Sequence, residues 1–213
     1  MTLTLALALI SWQVAVGGPL LAVDTGARHL TRELRTALHS LLLNHLGVGL
    51  SDLGGPVPAI PLLFAAAAFA ARRDRSAGRA RWWLPLPAAV GAAALIPLLV
   101  APAKAWFARP GPFGVPLTPE QTGWYPSGHT ATSAVAYGTA ALLLGRLLAP
   151  GDRRALYTVT ALLCLGVGAG LVWSDYHWLL DVLASWCVAA LVLAALAATL
   201  RRLDRAGGAP TGD

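Results

Sequence analysis

Three short stretches in an otherwise apolar chain carry groups able to do chemistry. The first is YPSGH, Tyr125 to His129. Ser127 is a good helix N-cap, and Gly128 lets a ligand approach the backbone. A helix starting there would aim free N–H groups and a positive dipole end at an anion, with His129 in its first turn. An ordinary capped helix start with an incidental histidine fits the same letters. The second is SDYHWLLD, Ser174 to Asp181, where His177 and Asp181 stand four apart. That spacing puts them on one helix face. A carboxylate holding one imidazole nitrogen fixes the tautomer and frees the other nitrogen as base or nucleophile. Asp181 lies inside an apolar run, where acids are costly and usually functional, although a His–Asp pair can also serve packing alone. The third is KAWFARPGP, with Lys104 and Arg109. The chain has fifteen arginines and one lysine, and the lysine is here. It is either an anion ligand or a snorkelling interfacial anchor.

Taken together, the cations, the helix start, two histidines and an acid fit phosphoryl transfer through a phosphohistidine. One imidazole attacks phosphorus, a second protonates the leaving oxygen, and the cations hold the non-bridging oxygens. A zinc site of His129, His177 and Asp181 is the rival, since three ligands suffice for catalytic zinc. It would leave Lys104 and Arg109 unexplained and place them beside a dication. No metal or cofactor is expected.

The elements that must position these groups are membrane helices. Of 213 residues, 56% are hydrophobic and 12% charged, with a mean hydropathy of +0.62. Such a composition belongs to membrane proteins. Stretches near 3–23, 48–71, 82–103, 128–149, 155–174 and 177–200 predict six spans. The segment from Ala27 to Leu50 alternates leucines and arginines as an interfacial amphipathic helix would, after the first span. Its histidines, His29, His39 and His45, have no ligand spacing. The five prolines between Pro110 and Pro126 exclude regular helix there.

The net charge of +6 is a topology signal, not a nucleic-acid patch. Eleven of the sixteen basic residues fall in 71–83, 145–154 and 201–205, alternate connections plus the C-terminal end. The positive-inside rule then puts both termini in the cytoplasm and the segments bearing the chemistry outside. Cys164 and Cys187 sit mid-span on different helices and are expected to be core residues. Residues 1–205 form one expected domain, with a disordered tail at 206–213.

These residues resemble the signature of the type-2 phosphatidic acid phosphatase and vanadium haloperoxidase superfamily, which reads K-x6-R-P, then P-S-G-H, then S-R-x5-H-x3-D. Pro126, Ser127, Gly128 and His129 match the middle motif without change, and His177 and Asp181 match the end of the third. The six-span layout resembles the integral-membrane branch. The resemblance implies a metal-independent lipid phosphatase of the bacterial plasma membrane with its site on the outer face. His177 would be the nucleophile, Asp181 its orienting acid and His129 the general acid, while Lys104, Arg109, Ser127 and Gly128 would bind phosphate. The bilayer and a lipid phosphate (polyprenyl diphosphate, phosphatidic acid or phosphatidylglycerophosphate) are the implied partners. Phosphotransfer to another acceptor, or an inactive lipid-binding protein on the same scaffold, are the alternatives. The chain departs from the pattern twice. Seven residues after Lys104 stands Gly111, with Arg109 two earlier, and Gly170 and Leu171 replace the serine and arginine of the third motif. An arginine restored at Leu171 is expected to keep or raise activity.

Overall fold

The computed structural model describes residues 2–118 and 121–207, with side chains to 204, and is helical throughout its regular elements. In chain order these are α1 (Thr2–Val16), α2 (Ala22–Leu38), α3 (Leu41–Asp52), α4 (Pro56–Ser76), α5 (Pro85–Phe107), α6 (Gly128–Gly145), α7 (Pro150–Trp173) and α8 (Leu179–Gly207). Three of them, α5, α7 and α8, are long and apolar enough to cross a membrane, and two bent pairs raise the number to five. The tail from residue 208 lies outside the described residues.

Two sequence expectations are redrawn by backbone chemistry. The first span does not run to residue 23. Gly17, at φ +61°, ends α1, and Gly18 and Pro19 open a short 3-10 turn. The buried Gln13 accepts the Leu20 amide at 3.1 Å, and α2 leaves at 95° to α1. The amphipathic segment from Ala27 to Leu50 is likewise two helices. His39 closes α2 in the left-handed region, and Ser40 caps α3 by accepting the Leu43 amide. Helix α3 then meets α4 at a 54° bend across Gly54, Gly55 and Pro56.

Helix α6 is the centre of the bundle, packed against α4, α5, α7 and α8. Because protein surrounds it, it can carry Thr130, Thr132, Ser133 and Thr139 in buried positions. That composition is why α6 is not among the long apolar helices. The core around it is rich in alanine, with Ala59, Ala67 and Ala70 of α4 against Ala136 and Ala140 of α6. Small residues let helix backbones approach closely, which is how helices associate where no water drives them together. Large apolar side chains point outward instead: Leu98 is 65% exposed, Val159 63% and Leu162 62%. An outward belt of this size suits lipid.

Candidate active site

The third sequence motif folds into the turn before α8 and its first turn. Trp178 is the residue before the helix, and Asp181 is its third helical position. Asp181 accepts the Trp178 amide at 3.3 Å, half of a capping box. The same carboxylate oxygen, Oδ2, stands 3.2 Å from His177 Nδ1. Both side chains are buried, at 8% and 0% exposure. An ionised Asp181 can only accept, so Nδ1 carries the proton and Nε2 keeps its lone pair free. Burial, the largest influence, holds the His177 imidazole below its ordinary pKa. Asp181 opposes this, and Lys104 and Arg109 add to it.

The middle motif starts α6 as expected. Ser127 Oγ accepts the Thr130 amide at 3.3 Å and the Thr130 hydroxyl at 3.0 Å. The Gly128 and His129 amides are the first two of the helix, where no carbonyl of the helix can reach them. Ser127 N donates to the Asp181 carbonyl, and Ser185 Oγ bonds the carbonyls of both Ser127 and Asp181. The starts of α6 and α8 are thereby tied together. His129 is exposed, close enough to His177 and Lys104 for their charges to interact. A Cβ placed on Gly128 would stand 3.8 Å from Lys104 Cε.

The first motif arrives on the last turn of α5 and the loop after it, which doubles back. Lys104 Nζ donates to the Gly123 carbonyl at 2.9 Å, Gly123 N to the Lys104 carbonyl, and Trp124 N to the Arg109 carbonyl. Backbone pairing thus ties the two ends of the loop together. Arg109 faces inward. Its Nη1 binds Asp181 Oδ1 and its Nη2 binds Asp24 Oδ2, each at 2.5 Å. The expected site residues therefore converge from three separate segments. Among the described residues no three His, Cys, Asp or Glu side chains are grouped to hold one metal ion.

The PAP2 superfamily model matches residues 82–205. The chain belongs to the PAP2 superfamily. Its fold is similar to the crystal structure of the first transmembrane PAP2 type phosphatidylglycerolphosphate phosphatase from Bacillus subtilis. The TM-score is 0.73 at 21% identity, over 95% of this chain and 98% of that one. No curated protein matches the chain. The family and the long apolar helices make it a multi-pass membrane protein of this superfamily.

Within this PAP2 protein the departures from the motif have packing causes. A Cβ on Gly170 would come within 2.5 Å of the Gly47 carbonyl, because α3 lies directly on α7. A serine does not fit there. Leu171 is 1% exposed and packs with Val167 and Val182. Its carbonyl also accepts the amides of Tyr176 and His177, so it shapes the turn that presents the histidine.

Other site-supporting residues went unnoticed in the sequence. Asp24, 2% exposed, holds Arg109 with one oxygen and accepts the Leu180 amide at 2.7 Å with the other. In the sequence it stands just past the expected first span, and it is buried only because α2 turns back at 95° to α1. Asp175 binds Arg28 at 3.1 Å, Arg32 at 3.3 Å and Arg35 at 2.5 Å. Three arginines at positions 28, 32 and 35 share one face of α2. That spacing alone announced an anionic partner.

Proposed function

We propose that this protein is a metal-independent membrane lipid phosphatase working through a phosphohistidine, with its site on the outer face of a bacterial plasma membrane. The buried His177–Asp181 pair beside the start of α6 carries the proposal. His177 Nε2 attacks phosphorus, and the bond to the lipid oxygen breaks as His129 gives that oxygen a proton. Water then attacks the phosphohistidine, His129 takes its proton, and inorganic phosphate leaves. Lys104, with one of its three donors used by Gly123, and the amides of Gly128 and His129 bind the non-bridging oxygens. Arg109 first fixes Asp181, and N–H groups not used by Asp181 and Asp24 bind a phosphate oxygen. Six spans, counting α6 and the two bent pairs, complete the topology.

The substrate is a phosphomonoester or diphosphate of a lipid: phosphatidylglycerophosphate, as in the name of the Bacillus subtilis protein, phosphatidic acid, or a polyprenyl diphosphate. Phosphate release from these three by purified protein in detergent tests the proposal, with His177→Ala as control. Release by wild type no faster than by His177→Ala would sink it. That outcome would instead favour an inactive lipid-binding protein, the reading to which the buried Leu171 in place of an arginine lends weight. Adding an alcohol acceptor distinguishes phosphotransfer from hydrolysis by product.

A further inference from the structure

At the end of the bundle opposite His177, four arginines surround a cavity of about 520 Å³: Arg79, Arg81, Arg146 and Arg153, with Leu203 and Asp204. Among the described residues only two carboxylates answer them. Asp74, 1% exposed, binds Arg79 at 2.6 Å and Arg146 at 3.2 Å, and Asp204 lies 3.5 Å from Arg146. Arg81 spends one donor on the Leu203 carbonyl at 2.8 Å. Arg146 Nη1 is buried without a hydrogen-bond partner among the described residues. The cluster has a surplus of two positive charges and donors to spare.

A second cavity shares a wall residue with it. Leu203 also lines an apolar groove of about 590 Å³ between α5 and α8, whose walls include Gly91, Leu95 and Leu196. Both helices pack on α6 without forming a packed seam of their own, which leaves the groove open. Trp82, under the Arg75 guanidinium, and Trp83, 47% exposed, stand beside the cavity in sequence. Such tryptophans mark the level where headgroups meet hydrocarbon.

We infer that this end binds an anionic phospholipid, its headgroup phosphate among the four arginines and an acyl chain in the α5–α8 groove. A soluble anion would satisfy the arginines but has no use for the apolar groove that borders them at Leu203. Basic clefts between membrane helices are suited to anionic headgroups. The site is separate from the catalytic centre and does not depend on its chemistry.

Purified full-length protein is equilibrated with phosphatidylglycerol and phosphatidylcholine in equal amounts, and retained lipid is counted by native mass spectrometry. Phosphatidylglycerol is a phosphodiester, so retention is read without turnover. Two surplus charges near a headgroup correspond to roughly a thirtyfold preference for the anionic lipid. Arg81→Gln with Arg153→Gln should erase the preference. Gly91→Phe, where the added side chain meets open space, should fill the groove and reduce retention with all arginines present. Its independence from the charged cluster keeps the test valid if the arginine variant does not fold. Equal retention of the two lipids overturns the inference. So does displacement of phosphatidylglycerol by inorganic phosphate with no effect of Gly91→Phe, which marks a soluble-anion pocket. Loss of retention in Lys104→Ala would place the lipid in the catalytic site and overturn it equally.

Discussion

At the scale of single residues, the two cations of the first motif do different work. Lys104 meets a backbone carbonyl, whereas Arg109 separates two buried carboxylates, Asp24 and Asp181. Removing one partner of a buried ion pair costs about 3–5 kcal/mol, because the remaining charge stays buried. Arg109→Ala should therefore lower both Tm and activity, while Lys104→Ala should lower activity, by about 10²–10³ for a lost donor, with little change in Tm. Adding Asp24→Asn to Arg109→Ala should recover Tm without recovering activity. A wild-type Tm for Arg109→Ala would show that the guanidinium is not held between these acids. His177 gives a pH expectation. Its pKa is depressed on folding, so the unfolded chain takes up a proton first. Its stabilising contribution is present above the unfolded value of about 6.5 and is lost as pH falls through the lower folded value. As the proposed nucleophile, His177 likewise stays neutral below the usual histidine range, and the acid limb of kcat/KM should lie under pH ~6.5. An acid limb above that point would contradict the burial seen here.

At the scale of elements, much of the site was legible because its residues sit where helix physics needs them. Ser127 caps α6 as its letters predict, whereas His177 and Asp181 do not share a helix face: His177 lies in the turn before α8 and meets Asp181 at the third position of that helix. What the letters concealed was how α2 and α3 lie. The Gly17–Gly18–Pro19 break is a turn signal inside a run of continuous hydropathy, and His39–Ser40 is one inside a helical spacing of leucines that runs on past it. The contact of α3 on α7 was equally hidden, since it depends on Gly47 and Gly170 meeting across 123 positions of chain. It reverses the expectation for Leu171→Arg. A guanidinium among Val167 and Val182 would be buried without a partner, so the variant should lose stability and gain no rate. Helix α2 is strapped to the turn bearing His177 by three arginines on Asp175. Burial, the largest influence, works to raise that carboxyl, but hydrogen bonds from Arg35, Arg32 and Arg28 outweigh it and hold its pKa below the ordinary value. The strap thus contributes above the unfolded aspartate value of about 3.9 and is lost as pH falls through the folded one. Asp175→Asn should release α2 at neutral pH, seen as faster amide exchange across Ala22–Leu38. Unchanged exchange would mean that packing alone holds the helix.

At the scale of the whole molecule, charge and chemistry are divided between two ends. Arg81 reaches Leu203, and Arg146 reaches both Asp74 and Asp204, so the connections α4–α5 and α6–α7 and the end of α8 share one end. His177, Asp181, Arg109, Lys104 and Ser127 share the other. Most of the basic residues lie at the first end, and short basic connections are retained on the cytoplasmic side during insertion. The catalytic end should then face outward, where a lipid phosphate would meet it from the outer leaflet. Labelling of introduced cysteines tests this cleanly, because Cys164 and Cys187 are both buried and give a silent background. Thr118, exposed in the loop between α5 and α6, should react as Thr118→Cys with a membrane-impermeant maleimide on intact cells. Gly151, exposed in the first turn of α7 at the basic end, should react as Gly151→Cys only after permeabilisation. The reverse pattern would turn the molecule over. It would put the phosphate site in the cytoplasm and the arginine cleft in the outer leaflet.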